Sequence, residues 1–136
     1  MSNPARQAVL DWNGGLRFRG GAADGPTILI DGSGAEAPGP MVVLLLAAAS
    51  CSGADVVLIL EKMRVALRSL RIEVAGVRRE TDPKRYLSMH LIYHLSGDGL
   101  DEAKARRAID LSVEKYCSVM HSLAPDLRLT HELRLA

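Results

Sequence analysis

The sequence predicts an α+β domain, on three observations. Glycines cut the first third into strand-length pieces, a strongly apolar stretch follows Pro40, and apolar and polar residues alternate on both sides of Thr81–Lys84 and again at the C-terminus. Gly14-Gly15, Gly20-Gly21 and Asp24-Gly25-Pro26 separate Val9–Trp12, Leu16–Arg19 and Thr27–Asp31, which read as a small three-stranded sheet. Asp31–Pro40 holds three Gly, two Pro and a Ser and is a loop, with Pro40 suited to the first helical position of the apolar run Met41–Ala49. At Ser50–Gly53 the pattern breaks, and Ser52-Gly53-Ala54-Asp55 reads as a capping box opening a second helix. Val56, Ile59, Leu60, Met63, Leu67 and Leu70 line its apolar face, opposite Glu61, Lys62, Arg64 and Arg68. Arg71–Glu80 and Tyr86–Ser96 form a hairpin about the turn Thr81-Asp82-Pro83-Lys84. Asp98 or Asp101 caps a third helix whose inner positions are Ala105, Ala108, Ile109, Val113, Tyr116, Cys117 and Met120. Pro125 stops it, and Arg128–Leu135 alternates as a last strand, giving the order β-β-β-α-α-β-β-α-β.

Composition narrows the function. At 136 residues one domain spanning 1–136 is expected, and 48% hydrophobic residues exclude a disordered chain. With 17 Lys+Arg against 16 Asp+Glu, the net charge of +1 argues against nucleic acid as a partner. Arg78-Arg79 and Arg106-Arg107 are too short to form a basic stripe. Met1–Leu10 contains no apolar stretch of signal-peptide length, which predicts a cytoplasmic protein. The longest apolar run has nine residues, Met41–Ala49, against roughly 20 for a membrane span, so no membrane association is expected. Because that run is apolar on every side, it calls for a cover that a small chain lacks. The expectation is a homodimer burying about 2,000 Å² in total.

Cys51 and Cys117 are the candidate chemistry. At the start of a second helix, Cys51 would sit among free backbone N–H groups that stabilise its thiolate, as a nucleophile requires. Cys117, on the inner face of the third helix, suits a resolving thiol, if the two sulfurs come within disulfide reach. Pro40–Val57, with Cys51, Asp55 and Val56 in it, resembles the Pro-Met-Glu-Leu-Leu-Leu-Ala-Ala…Cys…Asp-Val segment of the OsmC/Ohr family of osmotically inducible and organic hydroperoxide resistance proteins. Glu114–Val119 is similar to that family's second-cysteine motif, and the element order matches from about Trp12 onward. The resemblance implies an OsmC-like fold: small antiparallel sheets packed around long central helices, in an intertwined homodimer with thiol sites at the subunit interface. It further implies reduction of small organic or inorganic hydroperoxides, with Cys51 attacking the O–O bond, Cys117 resolving the sulfenic acid to a disulfide, and an external dithiol as reductant.

One departure bears on this. The family's well-defined peroxidases place a Glu before the first cysteine to orient an Arg of the N-terminal sheet, and the matching residue here is Val42. Arg17 and Arg19 are the arginines of that sheet, share a strand face, and are both candidates to hold a peroxide oxygen. Neither a cofactor nor a metal is expected: His90/His94 and Cys117/His121 are spaced to share faces, but two ligands do not make a site. Asp55 is explained as a first-turn helix acid. The alternative is a non-enzymatic dimer that binds a small apolar ligand or senses oxidants, motivated by Val42 in place of an acid.

Overall fold

In a computed structural model that describes residues 3–136, the chain forms two compact units, 3–44 and 45–136. In the first, β1 (Ala8–Trp12), β2 (Arg17–Ala22) and β3 (Thr27–Asp31) make an antiparallel meander in which Trp12 faces Phe18 and Arg17 faces Asp31. Its first turn is possible because Gly14 and Gly15 accept φ of 89° and 57°, and the Trp12 indole N–H closes it on the Gly15 carbonyl at 2.9 Å. At the end of β3 the buried Asp31 carboxylate accepts from the Ser33 hydroxyl (2.7 Å) and from the backbone N–H groups of Ser33 and Glu36. These bonds, the Ser33 hydroxyl foremost, hold its carboxyl below the usual carboxylate range and shape the loop that delivers Pro40 to the helix.

Helix α1 runs unbroken from Pro40 to Lys62. The start at Pro40 is as expected, but the predicted break at Ser50–Gly53 is absent. The polar groups that suggested a cap are engaged sideways instead: Ser50 bonds back to the Ala47 carbonyl, and Ser52 and Asp55 reach partners on other elements. The helix also ends earlier than its apolar spacing suggested. Arg64 takes a left-handed φ of 61° and the Val65 N–H bonds back to the Leu60 carbonyl, so Leu67 and Leu70 belong to the following strand.

The second unit's sheet has the order β4 (Ala66–Arg78), β5 (Tyr86–Asp98), β6 (Arg128–Leu135). β4 and β5 are antiparallel, whereas β6 lies parallel to β5, with Tyr93 opposite both Ile72 and Leu133. A parallel neighbour needs a crossover, and the segment between 98 and 128 supplies it. There α2 (Glu102–Leu111) is capped by Asp101, whose carboxylate accepts from the Lys104 N–H at 2.8 Å. A five-residue π-turn, Ser112–Tyr116, and the short α3 (Ser118–His121) follow, where one continuous helix was predicted. The inserted residue rotates the chain, so that Cys117 is fully buried while Tyr116 turns outward beneath Lys115.

Met89, Leu91, Tyr93 and Leu95 of β5 form the buried face of the sheet, and α1 turns toward the unit a stripe of Ala48, Ala49, Ser52, Gly53, Val56 and Leu60. Small residues let the helix come close: a Cβ on Gly53 would stand 3.2 Å from Ile72 Cδ1. By length and mean hydropathy (2.3) α1 could cross a membrane, but its Ser52 and Asp55 side chains are bonded to other elements of the second unit.

Candidate functional site

The structure brings Cys51 and Cys117 together. Cys51 is half-buried on α1, Cys117 is wholly buried at the junction of the π-turn and α3, and the two thiols are hydrogen-bonding neighbours in their reduced form. Cys117 Sγ also points at the Ala48 carbonyl, 3.9 Å away and one turn before Cys51. Burial pushes the Cys117 thiol up to about 11; the nearby Cys51 and Asp55 push the same way, against a hydrogen bond from the Met120 N–H. Cys117 therefore stays protonated at neutral pH.

The helix-end argument for Cys51 does not survive. Cys51 lies in the middle of a 23-residue helix, where backbone N–H groups are spent on the helical ladder and the positive pole is turns away. It is Cys117 that precedes a helix, and that helix has four residues. Asp55, for the same reason, is not a first-turn acid. Its Oδ2 instead accepts from the Ser112 hydroxyl at 2.9 Å.

That contact belongs to a buried polar cluster which sequence reasoning missed. Ser112 Oγ is 2.8 Å from Ser52 Oγ, and Ser52 Oγ is 2.6 Å from the Tyr93 hydroxyl. A carboxylate can only accept, so Ser112 Oγ donates to Asp55 Oδ2; the same hydroxyl is directed at Ser52 Oγ, and between Ser52 and Tyr93 either hydroxyl can donate. Burial pushes the Tyr93 phenol up to about 12, partly offset by its bond to Ser52. Tyr93 comes from the central strand, Ser52 and Asp55 from α1, and Ser112 from the π-turn, where its carbonyl accepts the Cys117 N–H at 2.7 Å. Ser52 directly follows Cys51, and Asp55 stands one turn beyond it on the same helix. Ser52-x-x-Asp55 was visible in the sequence, but its partners lie about 40 and 60 residues away, at a distance no local pattern spans.

Arg17 and Arg19 are both on β2 of the other unit. Arg17 pairs with Glu36 at 3.5 Å and Arg19 Nη1 donates to the Thr27 hydroxyl at 3.3 Å. Val42 is the third residue of α1 and is exposed. The histidines are engaged with protein groups. His90 sits between Thr130 and Glu132 (2.7 and 2.9 Å), His94 meets Glu73 at 2.9 Å, and His121 Nε2 donates to the Val113 carbonyl at 3.1 Å. His94 and His90 hold Glu73 and Glu132 below the usual carboxylate range.

Comparison with known proteins places these features in context. The model of the OsmC-like protein family matches residues 32–132. Protein YhfA of Escherichia coli is 42% identical over 126 residues, which cover 92% of this chain and 94% of that protein. The crystal structure of a hypothetical protein from Aquifex aeolicus superposes with a TM-score of 0.83 at 30% identity, covering 98% of this chain and 99% of that one. The organic hydroperoxide resistance protein OhrB of Bacillus subtilis shares the fold at 14% identity, with a TM-score of 0.62 over 96% of this chain and 98% of that one.

Proposed function

The chain belongs to the OsmC-like family, and from that premise we propose that it is a cysteine-based hydroperoxide reductase. Family membership suggests a redox or peroxide-related role, and the observation that carries the finer reading is the juxtaposition of a half-buried Cys51 with a buried, protonated Cys117. In the first step the Cys51 thiolate attacks the O–O bond of a small organic or inorganic hydroperoxide. The bond breaks, sulfur is oxidised to sulfenic acid, and the departing alkoxide takes a proton to become alcohol, or water when the substrate is hydrogen peroxide. The Cys117 sulfur then attacks the Cys51 sulfur, the S–O bond breaks, and the leaving hydroxide combines with the proton released by Cys117 to form water and a disulfide. An external dithiol reduces that disulfide and is itself oxidised to one.

The family resemblance gives Arg17 and Arg19 as the candidates to hold a peroxide oxygen, and Arg17 already pairs with a carboxylate, Glu36. A homodimer in a reducing cytoplasm completes the proposal. It is supported by the exposed apolar residues Val42, Leu46, Val57 and Leu58 on α1, a run of surface that a second copy would cover. A second reading, an oxidant-sensing or ligand-binding dimer without turnover, draws on the missing acid at Val42.

Stopped-flow mixing of the reduced protein with cumene hydroperoxide tests the enzyme. Fast thiol loss is expected, abolished by Cys51→Ser and stalled at a dimedone-trappable sulfenic acid by Cys117→Ser. No thiol loss over minutes overturns it, and a monomer by light scattering at micromolar concentration overturns the dimer.

A further inference from the structure

Ser112 ties both cysteines to one point of the fold. Its side chain is wholly buried and meets Asp55 Oδ2 at 2.9 Å and Ser52 Oγ at 2.8 Å, on the helix that carries Cys51. Its carbonyl accepts the Cys117 N–H at 2.7 Å, and its own N–H closes the end of α2 on the carbonyls of Ala108 and Ile109. Ser52 is in turn held by Tyr93 at the centre of the sheet. The segment that carries Cys117 is a single π-turn followed by four helical residues, too short to be held by its own helical bonds, and its other ties include the His121 bond to the Val113 carbonyl and the burial of Cys117 and Met120.

We propose that Ser112, anchored by Asp55 and Ser52, is a positioning residue that holds Cys117 against Cys51 and so sets how readily the two sulfurs form a disulfide. The proposal rests on the redox reading above and adds the device that makes the second step fast. Once the Ser112 hydroxyl is gone, the reduced Cys117 segment samples positions away from α1, and closing the disulfide must then supply the ordering that the hydrogen bonds provided beforehand. The bond goes from a wholly buried hydroxyl to a half-buried carboxylate, which makes that a substantial loss.

The test measures the effective concentration of the Cys51–Cys117 pair by equilibration with dithiothreitol at several ratios of its oxidised and reduced forms, which involves no peroxide. Ser112→Ala is expected to lower it about tenfold, the factor that about 1.4 kcal/mol represents, and to slow disulfide closure after a hydroperoxide pulse by a similar factor. Oxidation of Cys51 itself keeps its rate. Ser112→Thr, which restores the hydroxyl, recovers most of both. Should Ser112→Ala fail to fold, Asp55→Ala removes the anchor from the other side, with the same expected loss. An effective concentration unchanged from wild type in the folded variant, or a loss that Ser112→Thr does not recover, overturns the inference. Failure of Cys51 to react with hydroperoxide removes the enzyme instead, and leaves the dithiothreitol result to be judged by itself.

Discussion

The buried cluster around Ser52 makes unequal predictions for the hydroxyls of Tyr93 and Ser52. Tyr93→Phe removes the phenol oxygen 2.6 Å from Ser52 Oγ but leaves Ser52 bonded to Ser112 at 2.8 Å, so no polar group is orphaned and the expected cost is about 1 kcal/mol. Ser52→Ala instead strands the Tyr93 hydroxyl in a wholly buried site. That costs about 2.5 kcal/mol, of which alanine's better helix propensity within α1 returns about 0.5, leaving about 2 kcal/mol. In the double variant nothing is stranded, and its cost of about 1.5 kcal/mol falls below that of Ser52→Ala alone, with a coupling of about 1.5 kcal/mol. For a domain of 136 residues 1 kcal/mol shifts Tm by about 3.5 °C, so the drops are about 3.5, 7 and 5 °C. Thermal and urea unfolding followed by circular dichroism at one fixed protein concentration reads them. If the double variant is as unstable as the sum of the singles, or Ser52→Ala melts no lower than Tyr93→Phe, the Tyr93 and Ser52 hydroxyls do not depend on each other as described above.

Further outcomes follow from single residues. Native protein titrated with a thiol reagent at mildly alkaline pH releases one equivalent from Cys51 and a second only on unfolding, because Cys117 is buried and its thiol is pushed up to about 11. Since that value lies above the unfolded thiol's 9.0, the associated stability is complete below pH 9 and is lost as pH rises through about 11, which Cys117→Ala abolishes in pH-dependent melts. Gly53→Val places atoms against Ile72 Cδ1, already 3.2 Å from a bare Cβ, and destabilises by about 1–3 kcal/mol; an unchanged urea midpoint would show that α1 can move off β4 freely. The hydrogen bond from His94 holds the Glu73 carboxyl below its ordinary 4.5, so the stability it adds is present above that pH and fades as pH falls beneath it. His94→Ala should flatten this acid limb, and an unaltered limb would leave the pair without effect.

Where local chemistry decides the outcome, the sequence is enough. The glycine turns set β1 to β3 within a few residues of their place, Pro40 opens α1, one of the two expected caps, Asp101, starts α2, and Arg128–Leu135 is β6 to the residue, because each depends on dihedral preference, capping or alternation over a handful of neighbours. That Cys51 and Cys117 are neighbours was expected from the family resemblance and not from local chemistry, which left open whether they meet. Tertiary structure alone decided the rest. Ser52 and Asp55 look like a helix start, yet they lie within an unbroken α1, because Tyr93 and Ser112 satisfy their side chains from elements remote in sequence. The third helix breaks at Ser112 because an extra residue there lets Cys117 turn inward onto Ala48. Both follow from one physical fact: a buried polar group must find its partner in space, and a sequence shows only which group will need one.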